Sequence, residues 1–236
     1  INTCYTFGNN DFSQIHAYVK KYLFDIGYYR LGFYFFPFQE DYPDKKNRTH
    51  IFKSGYSLGN ALNLYDFDFE LRKIVLGYIQ KIEISFKTKV IYICSLYYKG
   101  DPIWYLNYKN VHHSFISKTK KNYNDKYKIH SPISNHHLKY PSHSYAPAWK
   151  LIEFFTFGET LMLFNSLKSQ NLQIEISKSF NINYVTVFEN YLTRIVTLRN
   201  ICSHNNILFD HRFEKSIKQG PAIKINNDNH YKVYSG

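Results

Sequence analysis

The sequence has little cysteine, little acid and no long apolar run, and each shortage removes a class of explanation. Three cysteines in 236 residues, Cys4, Cys94 and Cys202, are widely spaced and odd in number, which argues against a disulfide framework and a Cys-based zinc site. The paired histidines His112-His113 and His136-His137 fit no standard ligand spacing and have no cysteine beside them, so no metal is expected. No apolar stretch approaches the ~20 residues needed to cross a bilayer, and no charged segment followed by an apolar run opens the chain. The expectation is a soluble protein of the reducing cytoplasm without a membrane partner. Acidic residues number 18 against 30 basic ones, a net charge of +12, which favours a polyanionic partner. Alanine and glycine are sparse while Lys, Asn, Ile, Tyr and Phe abound. These are the residues of AT-rich codons, so gene composition shares the credit for the charge and for the 19% aromatic content.

What is present reads as helix. Hydrophobic residues make up 44% of the chain, enough for one core, and a single domain is expected over residues 1–236. Ile15, Tyr18, Val19, Tyr22, Leu23 and Ile26 step at helical spacing after a polar Asn9-Asn10-Asp11 start, and Gly27 is placed to end that helix. A short aromatic helix follows to Pro37, and Ser57 is a candidate N-cap for a helix through Leu62 and Tyr65. The longest element is expected from about Phe69 to Tyr98, where an apolar stripe continues until Gly100-Asp101-Pro102 breaks it. Within it, Glu83 stands four residues before Lys87, the favourable order for an ordinary helical ion pair. Residues 105–145 lose this periodicity and read as a basic, irregular insertion with one short helix near Ser114–Lys121, while 214–236 read as a polar tail.

One segment carries chemistry. Arg199-Asn200-Ile201-Cys202-Ser203-His204 sets an Arg and a His five positions apart at the end of an apolar helix. At about 100° per residue, Arg199, Ser203, Asn200 and His204 share an arc of about 140°, with Ile195, Leu198 and Cys202 opposite. A guanidinium is a permanent cation with a donor fork suited to phosphate, and an imidazole can give or take a proton near neutral pH. Together they suit phosphodiester cleavage in RNA, where the 2′-hydroxyl is an internal nucleophile and no metal or other cofactor is required. Asn200 would orient the imidazole or bind a phosphate oxygen. The same residue types at a helix end also serve as caps and dipole partners, so the hexapeptide alone does not decide between the two roles.

The motif has company. Ile26-Gly27-Tyr28-Tyr29-Arg30-Leu31, Leu64 to Arg72, Ile82-Glu83-Ile84, Trp149, Phe157-Gly158 and Leu198-Arg199-Asn200 with His204 resemble, in order and spacing, the landmarks of the bacterial abortive-infection AbiD/AbiF-like family of the HEPN superfamily. The resemblance covers about Phe12 to Phe213. It implies an all-α, HEPN-like bundle and a metal-independent ribonuclease in which Arg199, Asn200 and His204 fall on the motif positions. It also implies a homodimer in which two motif helices meet about a two-fold axis, and makes a bound structured noncoding RNA a natural partner. The chain departs from the family pattern after His204, where Asn205, Ile207, Phe209 and Asp210 replace a His, an Arg and a Trp-Asn pair. His211 and Arg212 lie just downstream and can compensate for the lost basic group.

These readings converge on an endoribonuclease of phage defence or a toxin-like system, with Lys118, Lys120, Lys121, His211 and Arg212 as RNA-binding residues. Arg72 and Tyr29-Arg30 are expected to stitch helices together. The competing class is a non-catalytic protein that holds a structured noncoding RNA. A third is a protein-interaction component of a toxin–antitoxin pair.

Overall fold

The computed structural model describes residues 12–213 apart from 45 and 47. The expected polar tail, the Asn9-Asn10-Asp11 start and Cys4 lie outside the described residues. Among the described residues the chain is all helical, with nine α-helices and no β-strand. It divides into two compact units. One holds residues 12–77 and 200–212, the other residues 78–199 and 213.

In the first unit, α1 (Phe12–Ile26) and α2 (Tyr28–Phe35) are separated by Gly27, whose φ of 86° is left-handed and therefore suits a residue without a Cβ. A 3-10 turn at Phe36–Phe38 follows, where Pro37 has no N–H to continue the α-helix. The chain returns through a loop to α3 (Leu58–Tyr97), of which residues 58–77 belong to this unit. Ser57 immediately precedes the helix, but its hydroxyl donates instead of capping a first-turn N–H: the Asn60 side-chain Oδ1 accepts from the Ser57 backbone N–H at 2.9 Å and from its hydroxyl at 3.1 Å. The two helices expected on either side of Asp66 are one continuous element, because no proline or left-handed glycine interrupts residues 58–97.

The second unit is built around phenylalanine. Phe86 is fully buried, with ring centroids 5.8–6.4 Å from those of Phe157, Phe164, Phe180 and Phe188, in the edge-on and tilted arrangements that aromatic quadrupoles favour. Residues 78–97 of α3, α7 (Phe157–Ser166), α9 (Val185–Ser203) and the turn carrying Phe180 bring these rings together. Thr156 opens α7 with a capping box: its hydroxyl accepts from the Glu159 N–H at 3.3 Å while the Glu159 carboxylate accepts from the Thr156 N–H at 2.9 Å. The other Glu159 oxygen accepts from Lys126 at 2.5 Å and from Tyr127 at 2.9 Å. Burial raises the Glu159 pKa, but these hydrogen bonds outweigh it and hold the carboxyl below its usual range. The segment 168–181 contains α8 (Gln170–Lys178).

Residues 105–145 are not an irregular insertion. They form α4 (His113–Asn122), a π-helical turn at Tyr123–Tyr127 and α5 (Ser131–Lys139), preceded by a buried 3-10 turn at Trp104–Leu106. Tyr105, Phe115, Ile116, Tyr123, Tyr127 and Ile133 are all buried. Tyrosine explains why the pattern reads as polar: each ring fills the core like a phenylalanine, while the hydroxyl finds a partner. Tyr105 donates to the Ala146 carbonyl at 2.7 Å, and the Tyr123 oxygen accepts from the Ala146 N–H at 2.6 Å. The segment after Pro147 is broken into short pieces. α6 (Ala148–Leu151) passes into a 3-10 turn at Ile152–Phe154, and Phe155 is extended.

The packing makes Phe86→Ala a severe change in the second unit, costing about 3–5 kcal/mol. Tyr92→Ala, which removes a ring 64% exposed, should stay within ~0.5 kcal/mol of wild type. Urea unfolding of the two variants checks this, and equal losses would contradict the phenylalanine core.

Candidate functional site

Helix α9 carries the motif to its end. The helix closes at Ser203, and the next residues form a Schellman turn: the Asn205 N–H reaches the Cys202 carbonyl at 3.4 Å and the Asn206 N–H reaches the Ile201 carbonyl at 2.9 Å. This arrangement needs a left-handed residue directly after the cap. Asn205 supplies it with φ 55°, and asparagine tolerates that conformation best after glycine. Asn205, a departure from the family pattern, thus has a geometric task. His204 is the capping residue itself, its N–H bonded to the Asn200 carbonyl at 3.0 Å, and it is exposed.

The chain beyond the turn is held by one buried carboxylate. Asp68 and Arg72, one turn apart on α3, are 0% and 4% exposed and form an ion pair. The Asp68 Oδ1 accepts the backbone N–H groups of Leu208 at 3.0 Å and Phe209 at 2.7 Å. Its Oδ2 accepts the Tyr34 hydroxyl at 2.8 Å and the Arg72 guanidinium. Arg72 also donates to the Asn206 carbonyl at 3.3 Å, and Arg30 to the Asn205 carbonyl at 2.7 Å. Tyr42 adds a hydrogen bond to Asp210 at 2.9 Å. The expectation that Arg72 and Arg30 stitch the fold is met, and what they stitch is the backbone after His204. Burial, with the Asp68 carboxylate adding to it, pushes the Tyr34 hydroxyl up to about 12, so it stays a donor at any physiological pH. Burial likewise raises the Cys202 thiol. The sequence held Asp68 and Arg72 inside a landmark, but not the signal that the carboxylate serves backbone groups about 140 residues away.

In the second unit, Arg199 lies in the last turn of α9, partly exposed, with its Nε 3.7 Å from the Glu83 carboxylate of α3. The expected Glu83–Lys87 pair is therefore replaced. Lys87 donates instead to the Glu153 carbonyl at 2.9 Å. A guanidinium presents its donors in a fixed fork, so a carboxylate at one edge orients the rest of the group.

The other expected residues fall in both units. Lys118, Lys120 and Lys121 are exposed on α4, where helical geometry puts Lys118 and Lys121 about 60° apart and Lys120 away from both. The Lys120 ammonium lies 5.3 Å from the Tyr108 ring centroid and 5.9 Å from that of Tyr145. His211 is half-buried and Arg212 exposed, both in the first unit. No described helix is long and apolar enough to cross a membrane.

A family model described as Abi-like protein matches residues 21–210. No match was found among curated proteins or among solved structures.

If Asp68 holds the segment after the motif, Asp68→Ala strips two backbone N–H groups of their acceptor and leaves Arg72 buried without its counter-ion. The expected loss is about 3–5 kcal/mol. Asp68→Asn, which keeps an acceptor, should lose less. Denaturant midpoints for the pair would show the order, and a negligible effect from Asp68→Ala would refute the clamp.

Proposed function

The chain belongs to the Abi-like protein family, named for abortive infection, and we propose that within it this protein is a metal-independent endoribonuclease of anti-phage defence. The observation that carries this reading is the Arg199–His204 motif, with its histidine exposed as the cap of α9 and the following backbone tied down by Asp68, Arg72 and Arg30. A general acid or base must be accessible to the reacting group and fixed in position, and a capping residue between a helix and a clamped segment is both.

The reaction that fits is internal transesterification. The 2′-oxygen attacks the adjacent phosphorus as its proton passes to a base, and the bond to the 5′-oxygen breaks as that oxygen receives a proton. His204 serves one of these transfers, and Arg199 neutralises charge building on the phosphoryl oxygens. Asn200, exposed one residue after Arg199, would orient either partner. One motif offers one imidazole, whereas the reaction uses both a base and an acid. A homodimer in which a second copy supplies the other imidazole completes the set. Lys118, Lys120 and Lys121 in the second unit, and separately His211 and Arg212 in the first, would contact the RNA backbone.

A second reading has its own observation. Glu83 already neutralises part of the Arg199 charge, as suits a structural guanidinium in a protein that holds a structured noncoding RNA without cutting it.

Arg199→Ala and His204→Ala should each abolish cleavage of single-stranded RNA, at least 100-fold, with the folded state retained and with EDTA having no effect on the wild type. In mixtures of the two variants, heterodimers with a composite site should show altered, partial activity. Cleavage undiminished in both variants would refute the motif chemistry, and a monomer that cuts RNA would refute the composite site. A wild type that binds RNA and never cuts it would favour the second reading.

A further inference from the structure

The second unit holds a cavity of about 720 Å³ that the cleavage motif does not use. Its volume lies in the range of small-molecule sites, about 300–1,000 Å³. The residues lining it include Ile103, His136, Tyr140, His143, Trp149 and Lys150, and no carboxylate.

His136 is the unusual member. It is only 5% exposed, and its Nε2 lies 3.2 Å from the His143 Nδ1, while its Nδ1 has no hydrogen-bond partner among the described residues. Its neighbour His137 is satisfied on both sides. The His137 Nδ1 lies 2.9 Å from the His143 carbonyl, which can only accept, so that nitrogen carries the proton and Nε2 accepts from Tyr123 at 2.9 Å. Buried polar atoms are nearly always paired, so the orphan ring nitrogen, itself closed to solvent, sets His136 apart from the other lining residues. Burial, then Lys150 and the flanking histidines, lower the His136 pKa, which keeps the ring neutral at pH 7.

The rest of the lining indicates the ligand. Tyr140 and His143 stack with centroids 5.1 Å apart and 11° between their planes, and Trp149 is 52% exposed. Flat rings left open to solvent are platforms for a planar aromatic group. Lys150 adds a cation unopposed by any acid in the lining, which suits an anion attached to that group.

We propose that this cavity binds one unpaired nucleotide, its base stacked on the exposed faces of Tyr140 and Trp149 and its phosphate set against Lys150. The proposal rests on the ribonuclease reading only for its choice of RNA over a free mononucleotide as the natural source.

The chain has two tryptophans, of which Trp104 is fully buried and Trp149 half exposed, so fluorescence quenching reports on the cavity. Titrations would use AMP, inorganic phosphate, single-stranded oligoadenylate and duplex RNA, with the His204→Ala protein for the RNAs so that they stay intact. Saturable quenching by AMP and oligoadenylate is expected, with none by phosphate or duplex. Lys150→Ala and Tyr140→Leu should each weaken the affinity at least tenfold at unchanged melting temperature. Quenching by oligoadenylate alone supports the cavity with an RNA strand as its source, and quenching by AMP alone supports it with a free nucleotide. No quenching by either, a response to phosphate equal to that of AMP, or unaltered affinity in both variants would overturn the proposal. Saturable binding by a wild type that cuts no RNA would leave the cavity standing and remove the cleavage reading, whereas cleavage without quenching would do the reverse.

Discussion

A carboxylate removed from water must find a cation and enough hydrogen-bond donors to replace its hydration, and Asp68 finds both. Two backbone amides, one phenol and one guanidinium surround it, two donors to each oxygen, which fills the acceptor capacity of about four lone pairs. The attachment works in both directions. The backbone at Leu208 and Phe209 turns inward because Asp68 is there, and Asp68 tolerates burial because that backbone supplies donors. A hydrophobic contact would have held the segment as firmly. It would not have fixed the register, since apolar contacts slide where directed hydrogen bonds do not.

That register matters for what precedes it. His204 sits between the last turn of α9 and a segment whose next carbonyls, Asn205 and Asn206, are bonded to Arg30 and Arg72. The Schellman turn with Asn205 in the left-handed region sets where the chain leaves the helix. An exposed histidine on an unsupported helix end would sample many positions as the end frays. Here the helix stop and the clamp leave it little freedom beyond its own side-chain rotamers. Arg199 is oriented in a different way, by the Glu83 carboxylate at one edge of its guanidinium.

The sequence made some of this legible and hid the rest, for identifiable reasons. Helix α1, the break at Gly27, the end of α2 just before Pro37 and the helix start after Ser57 were readable because glycine, proline and short polar side chains act within a few residues of themselves. The motif was readable because its two groups lie on one helical segment. The Asp68 clamp was not, since nothing local distinguishes a carboxylate that serves the adjacent turn from one that serves a backbone segment far along the chain. The Glu83 pair was misread for the same reason: a lysine at the favoured spacing looked sufficient, while the true partner lies on another helix. Residues 105–145 looked irregular because their core positions are filled by tyrosines among lysines and histidines, and a tyrosine that buries its ring and bonds its hydroxyl carries no apolar signature. The His136 cavity combines both difficulties, being assembled from separated turns by residues that individually read as polar surface.

The chemistry of the ends left on cut RNA is the most direct measure of the central claim, that an arginine and a histidine, without metal, drive attack by the 2′-hydroxyl. Mass spectrometry of fragments produced in EDTA should find 2′,3′-cyclic phosphate on the upstream piece and a free 5′-hydroxyl on the downstream piece. Fragments ending in a 3′-hydroxyl and a 5′-phosphate would mean that water was the nucleophile, and would contradict it.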